Sequence, residues 1–530
     1  MTNFVQQPCD EAVISARAAD KRCQAASRPW ILAATILGSS MAFIDGTVVN
    51  VALAALQKDF SATVPDVQWV VEAYSLLLTA LLLVGGSLGD RYGRRRVFLA
   101  GVAIFSIASL LCACATNIHQ LIGARALQGV GAALLVPGSL AIIGASFPDE
   151  QRGRAIGAWA GFTAITTAAG PVLGGWLIEH YSWRGIFLIN LPLALAVWVI
   201  SLRHVIETRD EDETGQLDWL GAALVTIGLG GLVFGLIQSS QAGFQNRSVW
   251  IALTSAAIFL TVFIIVEASI DNPMLPLDLF RARNFTAANM LTFLLYSALG
   301  GSLFFVPLDL IQVQKYTATA AGAALLPFVL IMFLLSRWAG GLVKRYGARV
   351  PLVIGPALAA IGFALFAMPG IDSNYWRSFF PAMVVLGLGM TISVAPLTTT
   401  VMNAVTPNRV GVASGVNNAI ARAAGLLAIA IFGIVMLDVF GRSLDSRLTA
   451  ISLPVDLKRM LDDQRIKLAA VEVPKEIPPS LNQEVRQAID GSFVRGFRTV
   501  MFVSAGLAFA SGIISLLLIN PAKTSNTRRL

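Results

Sequence analysis

Charged residues are scarce in this chain: Asp, Glu, Lys and Arg fill only 13% of 530 positions, about half the ~25% share of a typical soluble domain. Set against 56% hydrophobic residues, that shortage excludes a string of soluble domains. It leaves one polytopic membrane unit. Cysteine is scarcer still, with four in all, which excludes a disulfide framework. Cys9 and Cys23 lie in a polar N-terminal stretch. Cys112 and Cys114 stand two apart in an apolar run, so a helix points them to different faces. With three histidines in the whole chain, no cluster has metal-ligand spacing. No GxxxxGK[ST] phosphate loop occurs, so ATP is not the driver. No nucleophile–base pair is visible, which argues against an enzyme, and nothing calls for a cofactor. The net charge of +8 is not built from basic runs interleaved with aromatics. It reads as membrane orientation by Lys and Arg, not as nucleic-acid binding. The first 29 residues hold no short apolar core before a cleavage site and read as a cytoplasmic tail, not a signal peptide.

What is present is a series of apolar runs, each close to the ~20 residues that span a bilayer. Fourteen are predicted: 30–56, 67–88, 97–115, 119–144, 154–180, 184–202, 218–238, 249–269, 284–311, 318–342, 350–369, 377–402, 409–437 and 494–519. With both termini inside, the inward segments collect Lys and Arg, among them Arg91, Arg94, Arg95 and Arg96. The short outward loops hold single ones: Lys58, Arg184, Arg247, Lys315 and Arg377. This is the asymmetry of a cell (inner) membrane protein with cytoplasmic ends.

The chain also repeats itself. "GGSLGDRYGRRRVFLAG" from Gly85 matches "AGGLVKRYGARVPLVIG" from Ala339, and "GVGAALLVPGSL" matches "GLGMTISVAPL" at nearly the same offset. The fold class that follows is all-α: two six-helix bundles with two extra transmembrane helices between them. Its parts are an N-terminal tail (1–29), a first bundle (30–203), a linker carrying the extra pair (204–283), a second bundle (284–519) and a C-terminal tail (520–530). Repeated bundles with a site between them are a transporter architecture.

Charges inside spans are functional hypotheses by default. Asp45, Glu72 and Arg125 fall at similar depth in the outer half of the first bundle, where an arginine beside acids can tune their protonation. Each also has a plainer reading: a helix-bridging hydrogen bond for Asp45, a rim position in water for Glu72, a structural charge for Arg125. Arg422 is embedded in the second bundle without an obvious acid partner, and a structural role there is weighed slightly above substrate contact. Asp309, near an outer helix end, reads as solvated, and Arg337 as snorkelling to the inner face. In "GPVLGGWL", Gly170, Pro171, Gly174 and Gly175 form a smooth, bendable seam, either a gate or an ordinary packing face. In "GDRYGRRR", Gly89 and Gly93 allow a tight inner turn. Asp90, Arg91 and Arg94 are either topology signals or a charge latch between helices; Lys344 replaces the acid in the second repeat.

Together these motifs resemble the major facilitator superfamily, and within it the fourteen-span drug:proton antiporters of the EmrB/QacA type. "IDGTVVNVAL" resembles the group's first-span motif, "GSLGDRYGRRRV" its loop signature, "RALQGVGAAL" the motif whose arginine, here Arg125, is implicated in proton coupling, and "GPVLGGWL" its fifth-helix antiporter motif. "WRGIFLINLPL" and "GVASGVNNAIARAAG" match further stretches. The resemblance covers about Pro29 to Pro521 and implies a proton-coupled exporter of lipophilic drugs working by alternating access. Its partners are small lipophilic substrates, protons and the bilayer. Three departures stand out: Ala54 where the first-span motif often has proline, the missing acid in the second loop, and no clear buried carboxylate in the last helices. The last departure points away from dications and toward monovalent lipophilic cations or neutral amphiphiles. A specific-metabolite transporter or a non-transporting sensor on the same fold are the alternatives. The outward segment 438–493 reads as one or two amphipathic surface helices in a solvated hairpin; guarding the exit and docking a periplasmic adaptor are the other readings.

Overall fold

The computed structural model of the chain describes residues 8–209, 218–270, 273–406, 409–451, 453–473 and 479–520, apart from the side chains of 8–26 and of scattered later positions, mostly near helix ends. Most of the acidic loop at 209–218, the tail beyond 520, and the side chains of Arg337, Cys9 and Cys23 lie outside what is described. Among the described residues, fourteen helices are long and apolar enough to cross a membrane. They are α1 (Ser27–Phe60), α2 (Val64–Tyr92), α3 (Arg94–Cys114), α4 (Ile118–Ser146), α5 (Arg154–His180), α6 (Gly185–His204), α7 (Trp219–Ser240), α8 (Arg247–Glu267), α9 (Arg283–Val313), α10 (Ala318–Ser336), α11 (Arg349–Phe366), α12 (Phe379–Asn403), α13 (Val412–Thr449) and α14 (Leu481–Leu518). We call the side where α1 starts and α14 ends the terminal face, and the other the far face.

Local chemistry sets many of the ends. Thr63 and Asp66 form a reciprocal capping box at the start of α2, satisfying two otherwise orphaned amides. Asn117 caps α4 and Thr317 caps α10 one way only, each side chain accepting from the amide three residues on. Gly93 ends α2 with φ of +108°, a conformation that L side chains resist. A Cβ there would also lie 2.6 Å from the Glu207 carboxylate.

The duplication is visible in the packing. α1 packs on α5, α2 on α4 and α3 on α4; in the second lobe α9 packs on α13, α10 on α12 and α11 on α12. The repeat glycines occupy equivalent contacts. A Cβ on Gly131 would lie 2.9 Å from the Gly101 carbonyl oxygen, and one on Gly389 would lie 2.8 Å from that of Gly355. Helices without side chains at these points approach backbone to backbone. The extra pair, α7 and α8, pack on each other, and α7 lies on α2 and α13. It therefore spans the seam between the two lobes.

Three expectations need correction. Asp309 is not solvated: it is buried in a π-turn (Asp309–Val313) that continues α9, and Gln314 donates to its carboxylate at 3.4 Å. The last helices do hold a buried acid, Asp490. It was missed because the final helix begins at Pro479, well before the apolar run that marks it in the sequence. Segment 438–493 is not a solvated hairpin. Its two ends extend α13 and α14, and a short helix (Val455–Asp463) and a 3-10 turn (Arg465–Ala470) join them. Leu461, Leu468, Ala469 and Val471 are buried, because the turn packs on α1 and α2 of the first lobe and on α13 and α14 of the second.

Candidate functional site

Asp45 (α1) and Arg125 (α4) form an ion pair, and both are at most 1% exposed. Asp45 sits in a helix otherwise lined by Met41, Val48 and Val49, all buried. A lone carboxylate there is costly, so it persists only with a counter-charge and full hydrogen bonding. Both are supplied. Arg125 Nη1 donates to Asp45 Oδ2 and, at 2.6 Å, to Gln128 Oε1. Gln128 Nε2 donates to Asp45 Oδ1 at 2.9 Å and to Ser109 Oγ at 2.8 Å. Arg125 Nε donates to the Val70 carbonyl at 3.0 Å, and Asn190 Nδ2 donates to Ser109 Oγ at 3.0 Å. The guanidinium also lies 4.3 Å from the centre of the Tyr74 ring, a cation–π contact. One network thus ties together α1, α2, α3, α4 and α6.

Glu72 is elsewhere. It shares its level with the network, since Val70 is two residues away, but a two-residue step turns it to the opposite face of α2. That face carries Gln68, Leu76 and Leu83 toward α13: Gln68 donates to the Ile429 carbonyl at 2.8 Å, and Leu83 faces Gly415. Glu72 is fully buried there, and neither carboxylate oxygen has a partner among the described residues. Arg422 lies on the facing stripe of α13, partly buried, with its Nε buried and without a partner among the described residues.

The "GPVLGGWL" residues divide between two neighbours. Gly170 and Gly174 press on Thr47 and Val48 of α1, whereas Gly175 presses on Ala318 of α10 in the other lobe. A Cβ on Gly322 would in turn lie 2.1 Å from the Pro171 carbonyl oxygen. More bridges join the lobes at this far end: Gln312 Nε2 donates to Gln57 Oε1 at 2.8 Å, and Thr319 Oγ1 donates to Glu179 at 2.5 Å. Nearer the terminal face, Gly157 and Gly161 of α5 and Gly340 beyond α10 have open space around them. The backbone-to-backbone glycine contacts between α5 and α10 of the two lobes are therefore at the far end.

At the terminal face, Asp90 pairs with Arg94 at 2.7 Å, one turn on. Arg91 and Gly89 stand beside it in the last turn of α2. The acid that ties this turn to another element is Glu207, just after α6. Its carboxylate accepts from the backbone N–H groups of Arg95 and Arg96 at 3.0 and 3.2 Å, the favoured place for an anion at a helix start.

Sequence reasoning missed Gln128, Ser109, Asn190, Tyr74 and Glu207. Gln128 had a signal: it lies one turn from Arg125 in an apolar run. The others come from separate helices that only the fold assembles.

The sequence profile of the Major Facilitator Superfamily matches residues 35–429. The chain belongs to the Major Facilitator Superfamily. Among relatives of this superfamily chain, the multidrug resistance protein Stp of Mycobacterium tuberculosis is 33% identical over 89% of this chain and 88% of its own. The methylenomycin A resistance protein of Bacillus subtilis is 34% identical over 77% and 87%. The tetracenomycin C resistance and export protein of Streptomyces glaucescens is 29% identical over 92% and 91%. Among solved structures, a bacterial homologue of the human lysosomal transporter Spinster, in an inward-facing, unoccupied conformation, superposes with a TM-score of 0.64 at 16% identity, covering 92% of this chain and 98% of the other. The superfamily fold accounts for the two lobes; the polar network is confined to one of them. Counting along the repeat, the second-lobe positions that match Arg125 and Gln128 are Met383 and Leu386, both buried and apolar.

Proposed function

We propose that this chain is a proton-coupled exporter of lipophilic or amphiphilic drugs, working by alternating access from a cell membrane with the terminal face in the cytoplasm. The observation that carries the coupling is the buried Asp45–Arg125–Gln128 network. The names of the relatives, resistance and export proteins, support the direction and class of cargo.

In this reading Asp45 is the proton site. Ionised, it is matched by Arg125. Protonated from the outside, it loses that attraction, and Arg125 is left with Gln128 and the Val70 carbonyl. The helices that share the network then favour a different arrangement, and the ion pair re-forms when the proton leaves inside. Glu72, on the seam between lobes, is a second acid that lobe movement exposes or buries. One proton crossing 100 mV supplies about 2.3 kcal/mol, and each unit of pH difference adds about 1.4 kcal/mol. That is enough to sustain a large gradient of cargo. The far-face seal at Gly175, Gly322 and the 465–470 turn opens as cargo leaves. The burial of that turn favours a gating role over the docking of a periplasmic adaptor.

The test is transport by purified protein in liposomes across a panel of cationic, neutral and anionic fluorescent amphiphiles. A pH gradient alone is expected to drive at least one of them. If none moves, the exporter reading falls.

A further inference from the structure

The two arginines embedded in the spans of the lobes are treated differently. Arg125 is matched by Asp45. Arg422 has no carboxylate partner and no hydrogen-bond acceptor among the described residues. An arginine is always charged, and a charge held in an apolar seam without a counter-ion is expensive. Its stripe on α13 is fixed by its neighbours. Gly415 faces Leu83 and Gly433 faces Gln68, while Leu426 packs in one cluster with Leu76. Arg422 stands seven residues after Gly415 and four before Leu426, so it shares their face. It is therefore directed at α2, across the seam between the lobes.

The level follows from the same contacts. α2 and α13 run antiparallel, with Gln68 against Gly433 at the far end and Leu83 against Gly415 at the terminal end. Interpolation places Arg422 between Leu76 and Thr79, whose buried hydroxyl likewise has no partner among the described residues. Glu72 is then roughly 8 Å farther toward the far face, at ~1.5 Å per residue. Side chains on a helix lean toward its N-terminus. That leans Arg422 toward the terminal face and Glu72 toward the far face, so they diverge. Glu72 is sealed, whereas Arg422 retains partial exposure. Of the two charged groups, the cation is the less enclosed.

We propose that Arg422, with the Thr79 hydroxyl opposite, binds an anionic group of the cargo, so that the favoured substrates are acidic amphiphiles such as lipophilic carboxylates. This rests on the exporter reading above and replaces the expected preference for lipophilic cations or neutral amphiphiles. The planar guanidinium gives a carboxylate two parallel hydrogen bonds. The apolar side chains around Leu76, Leu83 and Leu426 take the hydrophobic part.

The experiment uses three probes with one hydrophobe: 1-pyrenebutanoate, 1-pyrenebutanol and 4-(1-pyrenyl)butyl-trimethylammonium. Binding to the full-length purified chain is read by energy transfer from its tryptophans. The carboxylate is expected to bind about tenfold tighter than the ammonium probe, the scale of a charge-assisted hydrogen bond. Arg422→Gln is expected to erase that ratio while leaving binding of the alcohol within about twofold, and Arg422→Lys to keep part of it. A wild-type chain that binds the ammonium as tightly as the carboxylate overturns the proposal, and it does so even if Arg422→Gln does not fold. An Arg422→Gln chain that keeps the full ratio also overturns it. Transport of the same probes in liposomes is scored separately. Selective binding without movement removes the exporter reading and leaves the anion site standing; movement without selectivity does the reverse.

Discussion

Gly322 of α10 touches Pro171 of α5 backbone to backbone, so close that a single added methyl would lie 2.1 Å from the proline's carbonyl oxygen. One helix belongs to each lobe, and the contact exists only because position 322 carries no side chain. Gly175 makes the reciprocal approach, with Ala318 O at 2.3 Å from its would-be Cβ. Gly322→Val forces the far ends of the lobes apart. The variant should express and remain helical but transport little, and a membrane-impermeant thiol reagent added at the far face should label Thr319→Cys more readily in its presence. Unchanged transport by Gly322→Val would show that this seam is ordinary packing.

The ion pair in the first lobe predicts an asymmetry in stability. Removing Asp45 alone strands a buried guanidinium, which costs about 3–5 kcal/mol when one partner of a buried pair is lost. Asp45→Leu should thus lower the melting temperature, and Asp45→Leu with Arg125→Met and Gln128→Leu should recover most of it. The second lobe already tolerates Met383 and Leu386 at the matching positions. Thermal unfolding in detergent measures both. The triple variant is expected to be stable and inactive.

At the terminal face, Gly93→Ala is expected to cost about 1 kcal/mol or more for backbone strain alone, plus the clash with Glu207. Glu207→Gln removes the anion that receives the first amides of α3, a loss on the scale of about 1 kcal/mol for a helix cap. The two effects should not add, because they act at one contact. A thermal-shift series on both single variants and the double tests this.

The segment between α13 and α14 is held by Arg486, which donates to the carbonyls of Ala469, Val471 and Gln312 at 3.1, 3.3 and 3.3 Å. Leu468 in that turn is fully buried with φ of +54°, a strained backbone state for a branched side chain. Arg486→Gln should free the turn. In a chain with its four native cysteines replaced, Leu468→Cys should react slowly with a far-face maleimide, and several-fold faster when Arg486→Gln is added. Equal rates would mean that Arg486 does not hold the turn.

Much of the fold is legible in the sequence because hydrophobic length is a direct readout of a bilayer. The first twelve predicted runs fall close to the helices found. The last two do not: α13 and α14 reach Thr449 and start at Leu481, where charged residues hide helices that continue past the hydrocarbon. The site was only partly legible. Asp45 and Arg125 stand out as charges in oil, and the fold pairs them. Glu72 stands out equally but faces the other way, because depth can be counted along a sequence while helix rotation cannot be fixed without neighbours. Glu207 gave no sign, being one acid in a polar linker. Asp309 and Asp490 looked solvated because each sits where apolar runs end, yet the π-turn and the long α14 bury them.

Gradient-driven uptake and gradient-free counterflow of the same amphiphile, compared in liposomes for the wild type and Asp45→Asn, test the coupling most directly. Counterflow reports a folded, cycling protein; only uptake against a concentration difference requires the proton. The variant is expected to retain counterflow and lose pH-driven accumulation. Full pH-driven accumulation by Asp45→Asn would contradict the assignment of the coupling proton to the Asp45–Arg125 pair.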